Sequence, residues 1–263
     1  VTAGNISVRG TSYGIGNNVI TGIGAGQSLT SGFWNVAIGL EALKLSTIAQ
    51  NNIAIGAYSL LYNTTGGNNI AIGGSALGNN TTGFGNIAVG DGALWLGNYV
   101  GMYNHAIGHE SQKYATANNN ISIGAFSMQQ TKQENDIAIG NHSLQQNING
   151  YNNIAIGDNA LRNNTEGGRN IAIGKDSMLN ANSWYNIAIG YQNLANNTLG
   201  QNNVAIGDRS MLYNTTGNLN TAIGGNALKY NTTGSFNVAL GLEALANNTT
   251  CLLYTSDAAD DTP

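Results

Sequence analysis

Apolar and polar positions alternate in one short motif that returns along nearly the whole chain. In most copies the motif reads Asn-x-Ala-x-Gly, with Ile, Val or Leu at the variable positions, and its closing glycines follow one another at 16 to 18 residues. These glycines are Gly39, Gly56, Gly73, Gly90, Gly108, Gly124, Gly140, Gly157, Gly174, Gly190, Gly207, Gly224 and Gly241. A fixed period of this kind is the signature of a repeat architecture in which each unit packs on its neighbours.

The first half of each unit predicts a short β-strand. In the unit Asn52 to Asn68, Ile53, Ala54 and Ile55 alternate large and small, which places the two Ile on one face and the Ala on the other. Gly56 follows and permits a sharp corner. We expect the Ile pair to form an internal column and the Ala face to be flat and exposed.

The second half of each unit predicts a second inward position and a wide turn. A small residue and then Leu or Met follow the glycine, as in Ser59 and Leu60, and an Asn-Thr-Thr-Gly turn closes several units. A brief helical turn around the small residue and Leu is conceivable, although Gly, Asn and Thr disfavour longer helices. Stacked units also predict asparagine ladders. The first members of the main ladder are Asn35, Asn52, Asn69 and Asn86.

Together these elements predict an all-β parallel β-solenoid, or β-roll, of about 13–15 coils with a ~17-residue repeat. A single coil buries too little apolar surface to be stable alone. Because the expected alanine face suits close approach by another copy, we predict a homotrimeric rod, with a lone solenoid as the alternative. Residues 1–34 are expected to form irregular N-terminal coils, and residues 35–250 the regular solenoid.

Residues 251–263 carry no repeat feature, and they read like the translation of a sequencing adaptor. We interpret them as a non-native tail. They hold the only Cys, the only Pro and three of the 13 acidic residues, so ten acids remain against 9 Lys and Arg. This near-neutral balance argues against nucleic acid as a partner. No apolar run reaches the ~20 residues of a membrane span, so no membrane insertion is expected within this sequence.

The repeated units resemble two known classes of surface protein. The pattern Asn-x-Ala-Ile-Gly-x-x-Ala-Leu-x-x-Asn-Thr-Thr-Gly is similar to repeats of phage-type tail fibres, and its Val/Ile-Ala-Ile-Gly-x-x-Ser/Ala core resembles the head repeats of trimeric autotransporter adhesins. The resemblance covers about residues 18–250. It implies a parallel β-roll, assembly of three chains, and an extracellular location on a virion or a bacterial cell. The start at Val1 and the adaptor-like tail are expected for a fragment of metagenomic origin.

Aromatic residues are the candidate contacts for a receptor or glycan, because exposed rings can stack on sugars or enter a partner protein. The alternative is that they fill space beneath the turns. The candidates are Trp34, Phe84, Trp95, Tyr99, Tyr103, Tyr151, Trp184, Tyr185 and Phe236. Several of them lie just before the next motif, near one expected edge. The segment Asp91 to Ser122, where the period slips to 18 and then 16, is either a binding loop or a tolerated insertion.

The sequence contains no recognisable catalytic set, cofactor motif or metal-ligand spacing. His105 and His109 are separated by a strand and a glycine corner, and no paired acids for hydrolysis are visible. We therefore predict a non-enzymatic fibre segment, without cofactor or metal, that supports or provides attachment to a cell-surface receptor or glycan. The alternatives are a bacterial adhesin head that binds host or matrix protein and, less favoured, an ice-binding solenoid.

Overall fold

The computed structural model describes residues 6–9, 17–97, 100–252 and 255–257. It divides into two compact units, Val1–Glu134 and Asn135–Pro263. Each unit is a parallel β-solenoid, and the two together contain about 13 coils. The described residues form strands and turns without a helix. The predicted fold class is therefore confirmed.

Unit 1 contains strands β1 to β8. β1 pairs with β2 antiparallel, and each later pair is parallel and in register. The strands are β1 Ile6–Arg9, β2 Asn18–Thr21, β3 Val36–Ile38, β4 Ile53–Ile55, β5 Ile70–Ile72, β6 Ile87–Val89, β7 His105–Ile107 and β8 Ile121–Ile123. The coil that starts at Asn18, within the predicted irregular segment 1–34, already follows the register of its successor.

Unit 2 contains strands β9 to β16, all paired parallel and in register. They are β9 Ile137–Ile139, β10 Ile154–Ile156, β11 Ile171–Ile173, β12 Ile187–Ile189, β13 Val204–Ile206, β14 Thr221–Ile223, β15 Val238–Leu240 and β16 Thr255–Asp257. β16 lies within the segment 251–263 that the sequence predicts to be non-native. That interpretation stays a prediction.

The two faces of the strands are opposite to the sequence-based expectation. Ala155 and Ala172, the central residues of β10 and β11, are completely buried, whereas the flanking Ile154, Ile156 and Ile171 point outward and are half-buried. The same pattern holds in the regular strands of both units. The prediction that Ile forms the internal column and Ala the exposed face is therefore wrong.

The regular coils, from β3 onward, are too narrow to hold Ile at this position. The hydroxyl of Ser177, on the wall opposite the strands, donates to the backbone carbonyl of Ala188 at 3.2 Å, and Ser210 reaches Ala222 in the same way at 3.1 Å. A small side chain on one wall therefore spans the interior to the backbone of the other. Only a small side chain fits between the walls of these coils, so Ala faces inward and the larger Ile side chains face outward. In β2 the two sizes are exchanged, because Ile20 is buried at the position of Ala37 and Gly26 stands where the next coil has Leu43.

The predicted second inward position is confirmed. Leu60, Leu77, Leu161 and Met178 are completely buried and provide the large side chains of the core. They adopt positive φ, as in Leu60 at 49°, so the chain turns here in the left-handed region and no helical turn forms. The stacking between coils, which repeats this geometry, maintains a backbone conformation that Leu disfavours in isolation.

Two asparagine ladders connect successive coils through their side chains. In the main ladder, the Asn52 side-chain amide donates to Asn35 Oδ1 at 3.1 Å and to the Gly66 carbonyl at 2.9 Å. In the second ladder, Asn80 Nδ2 donates to Asn63 Oδ1 at 2.9 Å, and Asn63 Nδ2 also donates to Gly66 at 2.9 Å. Both ladders thus satisfy the carbonyl groups of the wide turn, and the predicted main ladder is confirmed.

The glycine that ends each strand is required by the stacking of coils. Gly56 has φ of 131°, a conformation that residues with a side chain rarely adopt. A Cβ atom on Gly56 would overlap the backbone of Gly73 in the next coil. The motif Asn-x-Ala-x-Gly therefore encodes a ladder amide, a buried methyl group and a corner.

Candidate functional site

An apolar outer surface, which we call the isoleucine face, covers the strands of each unit. It consists of the outward residues of β3 to β8 in unit 1 and of β9 to β15 in unit 2. Each unit carries two parallel columns, because the strands pair in register. Several members are exposed although they are aliphatic, such as Ile38, Ile72, Ile123, Ile189 and Ile223.

The isoleucine face carries almost no polar side chains. In unit 1, His105 takes the place that Ile87 and Ile121 occupy in the neighbouring strands. In unit 2, Thr221 lies between Val204 and Val238. An uncharged apolar surface that continues over several strands is what interaction sites show and what monomeric soluble proteins usually avoid.

The predicted aromatic edge exists within each unit. Trp34, Tyr103, Tyr185 and Phe236 immediately precede a ladder asparagine, have φ between 57° and 62°, and are exposed. Phe84, Tyr151 and Trp184 lie one residue earlier than this position. These seven predicted contact residues therefore lie at the turn that leads into the strand.

In unit 1 the edge residues meet in pairs. The Phe84 and Tyr103 rings contact edge to face, with centroids 5.1 Å apart, and Phe33 and Trp34 do so at 5.0 Å. Such pairs stabilise by about 0.5–1.5 kcal/mol beyond the area they bury. The edge rings thus serve packing, as the alternative interpretation holds, and they also leave apolar surface exposed.

In unit 2 three edge residues, Tyr151, Trp184 and Tyr185, form one cluster around Arg169. The Tyr151 and Trp184 rings contact at 5.3 Å, and the Arg169 guanidinium lies 5.6 Å from the Tyr151 ring and 5.3 Å from the Tyr185 ring. The guanidinium also donates to the Tyr185 hydroxyl. A cation between two aromatic rings is held in place by their quadrupoles, which gives this cluster a fixed shape.

Trp95 and Tyr99 are the two remaining predicted contacts. Trp95 is half-buried and lies away from the edge, at a coil position that directly follows the buried Leu94. Its neighbours in space include Tyr58 and Tyr62, which are not among the predicted contact residues. Tyr99 lies outside the described residues. The sequence signal for this group of rings is Gly78, which occupies the coil position that holds Leu61 in the preceding coil and Trp95 in the following coil.

The irregular segment Asp91 to Ser122 also changes the core of unit 1. Gln112 replaces the usual Leu and is completely buried, with Nε2 donating to the His105 carbonyl at 3.2 Å and to the Asn120 carbonyl at 3.4 Å. Its Oε1 has no partner among the described atoms. The Ser111 hydroxyl shares hydrogen bonds with Ser122 and, at 3.2 Å, with Ser127.

Ionisable side chains are sparse and dispersed. Among the described residues, His, Cys, Asp and Glu do not group in threes. His109 Nδ1 lies 3.7 Å from Asp91 Oδ2 on the exposed surface. Asp136 is the exception in burial, because it occupies a ladder position and accepts hydrogen bonds from the Asn153 backbone at 2.8 Å and the Asn147 amide at 2.7 Å. Burial raises the pKa of Asp136 to about 7, although these hydrogen bonds oppose the shift.

The geometry defines the class of the protein as a parallel β-solenoid with an apolar strand face and an aromatic edge. Comparisons with protein-family models, curated proteins and solved structures gave no match. Over the described residues, we find no helix whose length and apolarity would suffice to cross a membrane.

Proposed function

We propose that the chain is a segment of an extracellular attachment fibre in which three copies pack through their isoleucine faces. The observation that carries the proposal is the pair of exposed aliphatic columns in each unit. This assignment replaces the expected alanine interface, since Ala172 and its equivalents are buried inside the coil. The resemblance of the repeats to tail-fibre and adhesin-head repeats supports the same function.

A second copy is the partner that best fits the isoleucine face. The columns repeat once per coil, at the ~4.8 Å separation of paired strands. Another copy of the chain has columns with the same spacing, so its side chains can interdigitate along the whole face. The near absence of charge in the columns favours an apolar homomeric interface, because obligate homo-oligomer interfaces resemble a domain core.

The aromatic edges supply the part of the proposal that concerns attachment. Trp34, Tyr103, Tyr185 and Phe236 remain exposed at the turns. These turns are distinct from the strand residues that make up the isoleucine face. Assembly through the strands therefore leaves these rings free to contact a receptor protein or glycan, on either a virion or a bacterial surface.

The test is the mass of the chain by light scattering. We expect about three times 27.3 kDa for the chain as it stands. The double variant Ile206→Lys with Ile223→Lys places two charges on the isoleucine face and is expected to be monomeric. Thr216→Lys with Thr233→Lys adds the same charge at exposed turn positions of the same two coils and is expected to remain trimeric.

Two results contradict this assembly. One is a folded monomer of the unmodified chain, and the other is a trimer that survives the Ile206 and Ile223 changes. The non-enzymatic role, which is equally a proposal, is tested by incubation with cell-surface oligosaccharides. We expect the oligosaccharides to be recovered intact, and their cleavage would contradict this part.

The ice-binding alternative would require a rank of accessible threonines. The Thr64, Thr215 and Thr232 hydroxyls donate to the backbone carbonyl of the threonine one coil later, at 3.0 Å in each case. Their donors are thus engaged in linking coils. The absence of thermal hysteresis in a freezing assay is the expected result.

A further inference from the structure

The surface of unit 1 has a cavity of about 310 Å³ beside Trp95. Its walls are formed by residues of three successive coils, and aromatic rings from two of the coils face it. The residues used below are Tyr58, Tyr62, Ser75, Gly78, Asn79 and Trp95. The volume lies at the lower end of the roughly 300–1,000 Å³ that ligand pockets occupy.

Gly78 creates this cavity. It lies at the same coil position as Leu61 one coil earlier and Trp95 one coil later, so a side chain is missing between two large ones. A Cβ atom on Gly78 would lie 2.9 Å from Trp95 Cδ1 and 3.3 Å from Nε1. The indole therefore packs over Gly78 in a position that no larger residue would allow.

The coil that follows Trp95 holds the Trp95 indole on the side opposite Gly78. The Lys113 ammonium lies 5.3 Å from the Trp95 ring centroid and forms an ion pair with Glu110 at 2.6 Å. The ring is thus held between Gly78 and Lys113. A wall that is ordered before binding costs little further entropy when a ligand binds.

The cavity is lined by unused polar groups and by no charge. Within the described part of the chain, the side chains of Tyr58, Tyr62, Ser75 and Asn79 have no hydrogen-bonding partner, so two phenols, a hydroxyl and an amide are available to a ligand. None of the lining residues is ionisable at neutral pH. This combination of a flat apolar wall and neutral polar groups selects a neutral ligand with one apolar face and several hydroxyls.

We propose that this cavity binds the ring of a neutral pyranose sugar. The C–H face of the ring would lie against Trp95, and the ring hydroxyls would hydrogen-bond to Asn79 and to the tyrosines. An apolar wall with a few convergent polar groups is the usual composition of a small-molecule site. The inference deepens the proposed function by naming a neutral glycan as the receptor. The role of the sugar as a receptor rests on the proposed function, whereas the binding of a sugar in the cavity does not.

The test uses Trp95 fluorescence. Changing Trp34 and Trp184 to Phe leaves Trp95 as the only one of the 3 tryptophans. This protein is titrated with methyl glycosides of glucose, galactose, mannose and N-acetylglucosamine. We expect a saturable change with at least one of them, at a Kd near 1 mM, a typical value for one weakly held ring.

Two variants decide whether the cavity is responsible. Gly78→Leu inserts the side chain found at Leu61 and is expected to abolish the response. Asn79→Ala removes the amide without filling the space and is expected to weaken binding about tenfold. If Gly78→Leu loses its circular-dichroism signal and is therefore unfolded, the Asn79→Ala result alone shows whether the cavity binds the sugar. Asn163→Ala, at the same coil position in unit 2, is the matched control and is expected to leave Kd unchanged.

The proposal is overturned if no glycoside gives a saturable response, or if the cavity variants respond like the parent protein. It is also overturned if an aromatic compound binds there in preference to every sugar. Light scattering on the same samples separates the two proposals. A trimer without sugar binding contradicts only the sugar site, whereas a monomer that binds sugar contradicts only the proposed assembly.

Discussion

The inner and outer faces of strand β11 differ in a way that reverses the usual distribution of side chains. Ala172 is completely buried, while Ile171 and Ile173, which are larger and more hydrophobic, point out of the coil. Burying an Ile contributes more free energy than burying an Ala. The arrangement therefore cannot be explained by hydrophobicity alone within one chain.

The difference shows that the space between the walls selects the inner residue. The Ser177 hydroxyl reaches the Ala188 carbonyl across the coil, so the interior at the strand admits little more than a methyl group. The outer face has no such limit, and it can hold Ile at the cost of apolar exposure. That cost is removed if another copy covers the face. The exposed Ile residues therefore support the proposed assembly of several copies.

The largest expected effect comes from overfilling the inner face. Ala172→Ile adds three carbon atoms where the opposite wall leaves no room, and we expect it to lower the free energy of unfolding by on the order of 5 kcal/mol. Extra methylenes in a packed core cost about 1–3 kcal/mol, and more where the surroundings cannot move. Urea denaturation followed by circular dichroism measures this loss.

Two substitutions bracket that result. Ala172→Ser is expected to be tolerated, with a cost near 1 kcal/mol, because Ser122 occupies the same coil position in unit 1. Ile173→Ala, on the outer face, is expected to change the fold little and to weaken assembly. If Ala172→Ile were as stable as Ala172→Ser, the narrow interior would not be the reason for the choice of Ala.

The sequence predicted the period, the parallel strands, the main ladder and the glycine corner because each depends on one residue type in a fixed place. Asn52 donates from its amide, and Gly56 adopts a conformation that other residues avoid. The aromatic edge was also predictable, since Tyr103 and Tyr185 lie directly before ladder asparagines. These features are local, and all except the aromatic edge recur in nearly every coil.

The orientation of the strand faces could not be predicted from alternation alone. The pattern of Ile53, Ala54 and Ile55 separates two faces but does not say which is inside, since that depends on the distance to the opposite wall. The available clue was the coil position of Ser59, which holds a small residue in nearly every coil and so indicates a narrow interior. The cavity beside Trp95 was missed because Gly78 matters only when it is compared with Leu61 in the adjacent coil.

The next largest effect concerns the ladder of unit 2, where a carboxyl group replaces an amide. Burial raises the pKa of Asp136 to about 7, whereas an unfolded Asp titrates near 3.9. The folded chain therefore keeps a proton that the unfolded chain releases, and the free energy of unfolding falls as pH rises between about 4 and 7. At 1.36 kcal/mol per pH unit, the loss between pH 5 and pH 8 is about 3 kcal/mol.

Asp136→Asn restores the ladder amide and should remove this dependence. We expect the variant to be the more stable protein at pH 8 and to have a nearly constant urea midpoint from pH 5 to pH 8. Asp158→Asn, which changes an exposed acid in the next coil, is the control and should retain the dependence of the parent. Parallel pH profiles for the parent and Asp136→Asn would contradict the role assigned to the buried carboxyl.

The smallest of the three effects concerns the Leu and Met column of the core, which contains a polar side chain in unit 1 and only Leu or Met in the described part of unit 2. Gln112 lies in the column of Leu94 and Met128, and its Oε1 has no partner among the described atoms. An unsatisfied buried group costs about 1–3 kcal/mol, so we expect Gln112→Leu to raise the free energy of unfolding by about 2 kcal/mol.

Urea denaturation of this variant beside Leu161→Gln, the reverse change in unit 2, tests the comparison. The first should stabilise and the second should destabilise by a similar amount, because both columns require an apolar side chain of the same size. A destabilised Gln112→Leu would instead show that the two hydrogen bonds of its amide contribute more than the apolar contacts that leucine would gain.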